Sequence, residues 1–364
     1  MNKNFMLERK ELTATFINII VVKMLFTYPR FMVINSGNAA WLEMVYVSLI
    51  SFGLYKLIDF FNKKTEQQNI FMLSEKVGGK AFRILVGSLI IFVLLVNLSV
   101  NIRIFSECIR TVLLPNTPTT MVMLFFIVAI SVGAYMGIYS ICRIHALFVP
   151  IAAIVMLGFL VMLIPDINLN NFFPLIGTGT YNVFIKGLRS ISVFADMMCI
   201  YILAPFCKNK RDTKRSINYA FLIGGISASL MLLLYCLVYP YPISREFVIP
   251  IYQLARIVNV GQYFQRFEAF FEFTWSIAMM LYASFSLFVI CYAISETFNT
   301  KYYRETILPV VLLAASFGFI PTNFVTLLSD GNEIYNVIYP ILFILPAVIG
   351  VIYSYKTRER RKNK

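Results

Sequence analysis

Long apolar runs constrain the fold of this 364-residue chain more than any other feature. A helix needs about 20 mainly apolar residues to cross the hydrocarbon core of a bilayer, and several runs reach that length. Hydrophobic residues make up 59% of the sequence and charged residues 14%, whereas soluble domains average about 45–50% and about 25%. The sequence therefore predicts an all-α polytopic membrane protein, with residues 1–364 in a single transmembrane domain.

Apolar runs bounded by polar or turn residues predict ten membrane spans. They lie at about 11–29, 40–61, 81–114, 119–138, 141–164, 184–206, 216–239, 264–297, 304–321 and 335–355. The third and eighth are longer than a bilayer requires, so they are expected to tilt or to project from it. The charged N-terminus has no small-residue cleavage site, so the first span is predicted to be uncleaved.

The positions of Lys and Arg predict the orientation of these spans. The segments predicted to be cytoplasmic include the loop "CKNKRDTKRS" (Cys207–Ser216) and the basic tail at 356–364, whereas the predicted outer loop at 321–333 holds no Lys or Arg. Lys186 and Arg189, at the outer end of the sixth span, are the main exceptions. Both termini are therefore predicted to be cytoplasmic, and the tail is interpreted as a topology signal rather than a nucleic-acid site.

Ten spans divide into two halves of five, at 11–164 and 184–355. Because five is odd, the second half would enter the membrane from the opposite side, as an inverted repeat requires. The count and orientation permit a 5+5 inverted repeat, although the two halves show no similarity by eye. In folds of this kind the first helix of each half is interrupted near mid-membrane, where freed backbone groups and half-helix dipoles bind a ligand.

Lys23 and Asp196 lie near the middle of the first and sixth spans, which are the first helices of the two halves. A charge at the centre of a membrane helix costs about 2.5–3.5 kcal/mol on insertion scales. An ion pair between the two helices would offset much of that cost if its geometry and hydrogen bonding are good. Three interpretations stay open: a purely structural pair, a lysine that extends toward an interface, or a lysine that stands where a cation would bind in an ion-coupled relative.

The third span also carries polar side chains. Asn97 and Asn101 are four residues apart and share one helix face, as do Arg103 and Glu107 nearer the outer end. Amides at this depth either hydrogen-bond between helices, worth on the order of 1 kcal/mol, or line a polar cavity. Both can be true.

The eighth span holds a second group of polar residues. Arg266, Glu268 and Glu272 lie in its outer part, and the two carboxylates share a face. They predict either a local network with Arg266 or Arg256, or an outer gate or docking surface. Further along this span, "YASFS" (Tyr282–Ser286) places hydroxyl groups at membrane depth.

No motif in the sequence predicts catalysis. His145 is the only histidine, and no His, Cys or carboxylate cluster surrounds it in sequence. The six cysteines are scattered and none forms a C-x-x-C pair, which favours packing roles over a metal site or a disulfide framework. Walker-type, G-x-S-x-G and H-E-x-x-H motifs are absent. The sequence predicts no enzyme activity, no metal and no cofactor.

Several stretches of the sequence resemble one family. They are "YPR" (Tyr28–Arg30), "NAAW" (Asn38–Trp41), Gly137, Arg143 and Pro150, "NNFFPLIGTGTYNVFIKG" (Asn170–Gly187) and "YQLARIVNVGQYFQRFEAFFEFTW" (Tyr252–Trp275). Together they are similar to the spore germination permeases, the B subunits of nutrient germinant receptors, which belong to the amino-acid/polyamine/organocation transporter superfamily.

This resemblance implies an amino-acid-transporter (LeuT-like) fold with helices 1 and 6 broken around a small-molecule pocket. It also implies residence in the inner membrane of the dormant spore, in a complex with an A subunit and a lipoprotein C subunit that senses germinants, often amino acids. Carried over by position, the pocket would be lined by Val22, Lys23, Met24, Leu25 and Phe26, by Asn97 and Asn101, by Phe194, Ala195 and Asp196, and by Tyr282 and Ser284.

The chain departs from the family pattern in the first-helix break. Family members commonly carry glycines in the register that ends at "PR", where this sequence has Val22, Lys23 and Met24. Glycine lets the backbone approach a ligand closely, so the bulky residues disfavour capture of a ligand carboxylate by exposed amides. Lys23 would either make that contact through its charge or fill a cation site.

Three classes of function are compatible with these features. The leading one is a ligand-sensing subunit that keeps a transporter fold and signals to partner subunits. The alternative is an active secondary transporter of amino acids or related solutes. The third, a structural membrane protein without a ligand, is disfavoured because intramembrane Lys, Asp and Asn residues are costly and are functional candidates.

Overall fold

The computed structural model describes residues 6–62, 68–258, 267–300 and 302–362, and these residues are mainly helical. The helices are α1 (Arg9–Met24), α2 (Tyr28–Ser36), α3 (Ala40–Phe61), α4 (Ile70–Val112), α5 (Thr119–Met136), α6 (Ile138–Met162), α7 (Tyr181–Phe206), α8 (Lys210–Val238), α9 (Pro250–Ile257), α10 (Phe267–Phe298), α11 (Ile307–Gly318), α12 (Phe324–Ile338) and α13 (Ile341–Lys362). An isolated β-bridge joins Leu7 to Cys207, so the start of the chain is held against the end of α7.

The all-α membrane class is confirmed for the described residues. Eight helical stretches among them are long and apolar enough to cross a membrane. The second predicted span coincides with α3. The first and ninth correspond to α1, with 16 residues, and α11, with 12 residues, which are shorter than a full crossing. The ten-span count, the inverted repeat and the cytoplasmic termini therefore stay predictions.

The segment at 321–333 was predicted to be an outer loop, but most of it is helical and belongs to α12, while its outer position stays a prediction. Asn323 caps this helix, since its side chain accepts a hydrogen bond from the Thr326 amide at 2.9 Å. The Thr326 hydroxyl in turn lies 3.2 Å from the Asn323 amide and accepts its hydrogen bond. This reciprocal cap satisfies two backbone donors that the first turn of a helix leaves free.

The predicted tenth span at 335–355 is also divided. Pro340 lies between α12 and α13, where its missing N–H and its ring oppose continuation of a helix. Tyr335 and Tyr339, near this division, are buried in the core. Two phenol groups therefore lie in the core beside this division.

The first predicted helix is interrupted between α1 and α2, as the family resemblance implies. At residues 25–27 the chain turns tightly, and the amides of Leu25 and Phe26 bond to carbonyls three residues back. Pro29 fits the first turn of α2, a position where the N–H would have no helical partner. The interruption leaves Lys23 in the last turn of α1, where the helix dipole favours a cation.

The sixth predicted helix, α7, is continuous rather than broken. Its stretch Lys186–Cys199 is a 3₁₀ helix, a geometry that is uncommon in runs longer than about 3–4 residues. A 3₁₀ helix has 3.0 residues per turn, so side chains three residues apart lie above one another. Ser190, Val193 and Asp196 therefore share one face.

The helix α1 lies at the centre of the bundle. It packs against α6, α8 and α10, and it also contacts the 3₁₀ part of α7. The long helices α4 and α10 pack on each other, and α12 contacts both α4 and α7. The end of α1 is consequently surrounded by α7, α10 and α12.

Candidate functional site

A buried ion pair joins the first and sixth predicted helices. The Nζ atom of Lys23 lies 2.7 Å from Oδ2 of Asp196 and donates a second hydrogen bond to the Val193 carbonyl at 2.7 Å. Both side chains are buried, with about 2% of each residue exposed. The 3₁₀ geometry of α7 accounts for this arrangement, because it places Val193 and Asp196 on the same face toward α1.

Asp196 accepts further hydrogen bonds from two tyrosines. Tyr282 of α10 donates to Oδ2 at 2.8 Å, and Tyr339 donates to Oδ1. Asn97 donates to the Tyr282 hydroxyl at 2.9 Å, and Asn101 donates to the Asn97 side chain at 2.8 Å. These contacts form a network of charged and polar groups, here called the Lys23 network, that connects α1, α4, α7, α10 and the end of α12.

Aromatic rings also surround the Lys23 ammonium. Its Nζ lies 6.0 Å from the ring centroid of Tyr282, 5.6 Å from that of Tyr335 and 5.4 Å from that of Tyr339. A cation within about 6 Å of an aromatic face is attracted by the ring quadrupole. A carboxylate, a carbonyl and three rings thus hold the ammonium, which offsets its removal from water.

Two cavities lie on the side of the Lys23 network that is predicted to face outward. The smaller, of about 30 Å³, is lined by Lys23 and Asn101 among others, and has room for about two water molecules. The larger, of about 610 Å³, is here called the vestibule and falls in the usual size range of small-molecule pockets. Tyr28, Phe31 and Asn332 line both cavities, so they form the throat between them.

The structure brings only part of the predicted pocket to these cavities. Lys23, Phe26 and Asn101 line the smaller cavity, and Asn97 borders a void of about 10 Å³ beside it. Asp196 and Tyr282 belong to the Lys23 network. The remaining apolar positions are buried in the core and border neither the smaller cavity nor the vestibule; they are Val22, Met24, Leu25, Phe194 and Ala195.

Ser284 lies away from the network, contrary to its predicted place in the pocket. Its hydroxyl donates to the Met280 carbonyl of its own helix at 2.7 Å. It also lies against α5, since a Cβ at Gly133 would come within 2.3 Å of the Ser284 oxygen. The residue spacing of α10 explains the difference, because Tyr282 and Ser284 are two positions apart and point to different sides of a helix.

The predicted outer network of the eighth span is not seen for Glu272. Arg266 lies outside the described residues, and Glu268 is half-buried at the start of α10. Glu272 is fully buried, and neither of its carboxylate oxygens has a hydrogen-bond partner among the described residues. Arg256 instead lies over the Tyr252 ring, 6.0 Å from its centroid. The sequence cannot distinguish these arrangements, because they depend on how α10 is rotated.

Glu272→Gln is expected to leave thermal stability unchanged or to raise it. The buried Glu272 carboxylate has no hydrogen-bond partner among the described residues, which makes its charge costly, whereas an amide of the same shape carries no charge to desolvate. The measurement is the thermal unfolding midpoint of the purified protein in detergent. Glu107→Gln is the matched control, because Glu107 pairs with Arg103 at 2.7 Å and should lose stability. A lower midpoint for Glu272→Gln than for Glu107→Gln would contradict this account.

Glu43 is a buried carboxylate that the sequence analysis missed. Its oxygens accept hydrogen bonds from Asn35 at 2.9 Å, from Ser36 and from Ser190 at 2.6 Å. Gly187 makes room for it, since a Cβ there would lie 2.9 Å from the Glu43 Cγ. Glu43 of α3 thereby connects the end of α2 to the 3₁₀ part of α7, beside the vestibule.

Two signals in the sequence point to the missed residues. Glu43 is an acidic residue inside a predicted span, which is costly enough to be a functional candidate. Tyr335 and Tyr339 are four residues apart and therefore share a helix face.

Among the described residues, no group of three or more His, Cys, Asp or Glu could hold a metal ion.

Comparison with known proteins agrees with the motifs quoted above. The profile of a family described as spore germination protein, the spore permeases, matches residues 7–324. Spore germination protein B2 of Bacillus subtilis (strain 168) is 22% identical over 311 residues, which cover 85% of this chain and 83% of the relative. Spore germination protein YndE of the same organism is 22% identical over 364 residues, covering 96% of each chain.

A third relative is similar to this chain over nearly its whole length. Spore germination protein A2 of Bacillus subtilis (strain 168) is 24% identical over 350 residues, covering 93% of each chain. The family resemblance inferred from the sequence is thereby confirmed. This multi-pass membrane protein belongs to the spore germination protein family.

Proposed function

We propose that this chain is the germinant-sensing membrane subunit of a spore germinant receptor. It binds a small nutrient, an amino acid or a similar solute, in the mid-membrane region between the α1–α2 interruption and α7. It resides in the inner membrane of the spore and passes the signal to partner A and C subunits. Membership of the spore germination protein family supports a receptor of this type.

The observation that best supports a sensing role is the position of the Lys23 network beneath the vestibule. A solute that passes the throat residues Tyr28 and Phe31 meets the Lys23 ammonium at the end of α1. It then competes with Asp196 and Val193 for the hydrogen bonds of that ammonium. Because the network joins five helices, it offers a route by which a change at Lys23 reaches each of them.

Signalling requires that the ligand binds one arrangement of these helices more tightly than another. A ligand shifts a conformational equilibrium only by its difference in affinity for the two states. The cavity of about 30 Å³ is too small for an amino acid, so the throat has to open when the ligand binds. Opening moves α2 and α12 relative to α7, and this movement is the proposed signal to the partner subunits.

The test is germination of spores that carry the double variant Lys23→Met/Asp196→Asn. Both charges are removed together, so neither is left unpaired in the core. The expected result is a germinant concentration for half-maximal response that is raised at least about tenfold, equivalent to about 1.4 kcal/mol. Germination is followed as loss of optical density against a panel of amino acids and other small solutes, with protein level checked by immunoblot.

The control is the double variant Lys214→Met/Asp59→Asn. This pair has the same 2.7 Å separation but is partly exposed and lies away from the Lys23 network. It should germinate like the wild type. An unchanged response of the Lys23 double variant at normal protein level would place the sensing site elsewhere, and uptake of labelled solute by proteoliposomes without partners would indicate a transporter instead.

A further inference from the structure

Among the described residues, the charged side chains that line the cavities leading to the Lys23 network are all cationic. The lining of the vestibule includes Lys186 and Arg189 but no Asp or Glu among the described residues. The smaller cavity is lined by Lys23 and likewise by no described carboxylate. A solute moving from the vestibule through the throat therefore meets cations at both ends of its path.

The carboxylates near this path are already engaged. Both oxygens of Asp196 accept hydrogen bonds, from Lys23, Tyr282 and Tyr339. Glu43 lies behind Asn35 and Ser190, and its two oxygens accept three hydrogen bonds. A ligand ammonium group would have to displace one of these partners.

Glu333 is a further described carboxylate near the vestibule, because it lies beside Arg189. It lies 3.7 Å from the Arg189 guanidinium, and both side chains are about 66% exposed. A pair this exposed is weak and readily exchanges partners. An incoming carboxylate can therefore replace Glu333 on Arg189 at little cost, whereas an incoming ammonium gains only a screened surface charge.

The Lys23 ammonium already occupies the place that would best bind the ammonium group of a ligand. It is held by a carboxylate, a carbonyl and three tyrosine rings, which is a set of groups suited to an alkylammonium ion. An ammonium has three N–H donors, and its contacts with Asp196 and Val193 use two of them. The third is left for an oxygen atom of a ligand in the smaller cavity.

We propose that the ligand of this chain is a small carboxylate that needs no ammonium group, such as a 2-hydroxy acid. Lys186 and Arg189 attract it into the vestibule, and Lys23 binds its carboxylate once the throat opens. Polar groups that line the throat and the smaller cavity, including Asn101 and Asn332, serve its hydroxyl group. This inference rests on the proposed sensing function and narrows its ligand class.

The experiment uses pairs of acids that differ in one group. L-lactate and L-alanine, glycolate and glycine, and L-phenyllactate and L-phenylalanine keep the carbon skeleton and carboxylate, and exchange a hydroxyl for an ammonium. Binding to the purified full-length chain in lipid nanodiscs is measured by calorimetry at 50 mM and 500 mM NaCl. In at least one pair the hydroxy acid is expected to bind about tenfold or more tightly than the amino acid, and more weakly at high salt.

The variant Lys186→Gln/Arg189→Gln tests the role of the vestibule. It is expected to weaken binding of the hydroxy acid about three- to tenfold at low salt, because each exposed charge contributes only a weak, screened attraction. Lys80→Gln is the control, since Lys80 is an exposed lysine that does not line the vestibule, and this variant should bind like the wild type. Equal affinity of the vestibule variant and the wild type at low salt would overturn the role of the two cations.

Two results would overturn the assignment of ligand class. One is binding of the amino acid at least as tight as that of its hydroxy acid in every pair, and the other is no binding of any hydroxy acid to the folded protein. The same six compounds are then tested on wild-type spores and on spores lacking the chain. Identical germination of the two kinds of spore would refute the sensing function while leaving the binding preference measured.

Discussion

Asp196→Ala is expected to destabilise the protein by about 3–5 kcal/mol, because it leaves the Lys23 ammonium buried without its counter-charge. The Tyr282 and Tyr339 hydroxyls would also lose their acceptor. The measurement is thermal unfolding of the purified protein in detergent, followed by tryptophan fluorescence. Trp275 reports on this region, since it is buried and its ring lies 5.0 Å from that of Phe26.

The double variant Lys23→Ala/Asp196→Ala distinguishes a pair from two independent residues. It should be more stable than either single variant, because removing both charges leaves neither unpaired. If the stability losses of the two single variants simply add in the double variant, direct pairing of Lys23 and Asp196 would be contradicted. Asp196→Asn gives an intermediate test, since the amide keeps an acceptor for one tyrosine while removing the charge.

Glu43→Ala is expected to have the second largest effect. It leaves the buried Ser36 hydroxyl without its carboxylate acceptor, which costs about 1–3 kcal/mol. It also removes one acceptor from Asn35 and from Ser190, whose side chains line the vestibule. A loss of about 1–3 kcal/mol is therefore expected. The variant also frees the end of α2 from α7, so the fraction of protein recovered as a monodisperse peak in size-exclusion chromatography should fall.

Glu43→Gln is the matched control for the charge of this residue. The glutamine oxygen can accept from Asn35 and Ser36, and its amide can donate to the Ser190 hydroxyl. If Glu43 acts through hydrogen bonds, the glutamine variant should retain most of the wild-type stability. If glutamine is as damaging as alanine, the negative charge is required and the hydrogen-bond account is wrong.

The helical class and the candidate charges could be predicted because they are properties of single segments. Lys23 and Asp196 stand out since each is an ionisable side chain within a long apolar run. Tyr282 was selected only through the family resemblance, and Tyr335 and Tyr339 do not stand out as the charges do, because the chain has 21 tyrosines. Glu43 escaped notice because it lies near the end of its span, where a charged residue is usually hydrated.

Other details depend on helix rotation and packing. Ser284 was expected to line the pocket with Tyr282, yet it faces α5. The direction in which each side chain points depends on how α10 is rotated about its own axis. The segment at 321–333 lacks the apolar length of a span, and its helix is stabilised by the cap at Asn323 and by contacts of α12 with α4 and α7. Such contacts join residues far apart in the sequence and leave no local pattern.

By itself, the sequence determined the all-α membrane class, the family and the two charges that require compensation. The length of an apolar run and the presence of a charge within it are properties of contiguous residues, so they can be recognised without the tertiary structure. Only the tertiary structure decided that Lys23 and Asp196 meet at 2.7 Å, that Tyr282 and Tyr339 complete the site, and that a narrow throat separates it from the vestibule. Those facts follow from interhelical distances, which are set by the packing of the whole bundle.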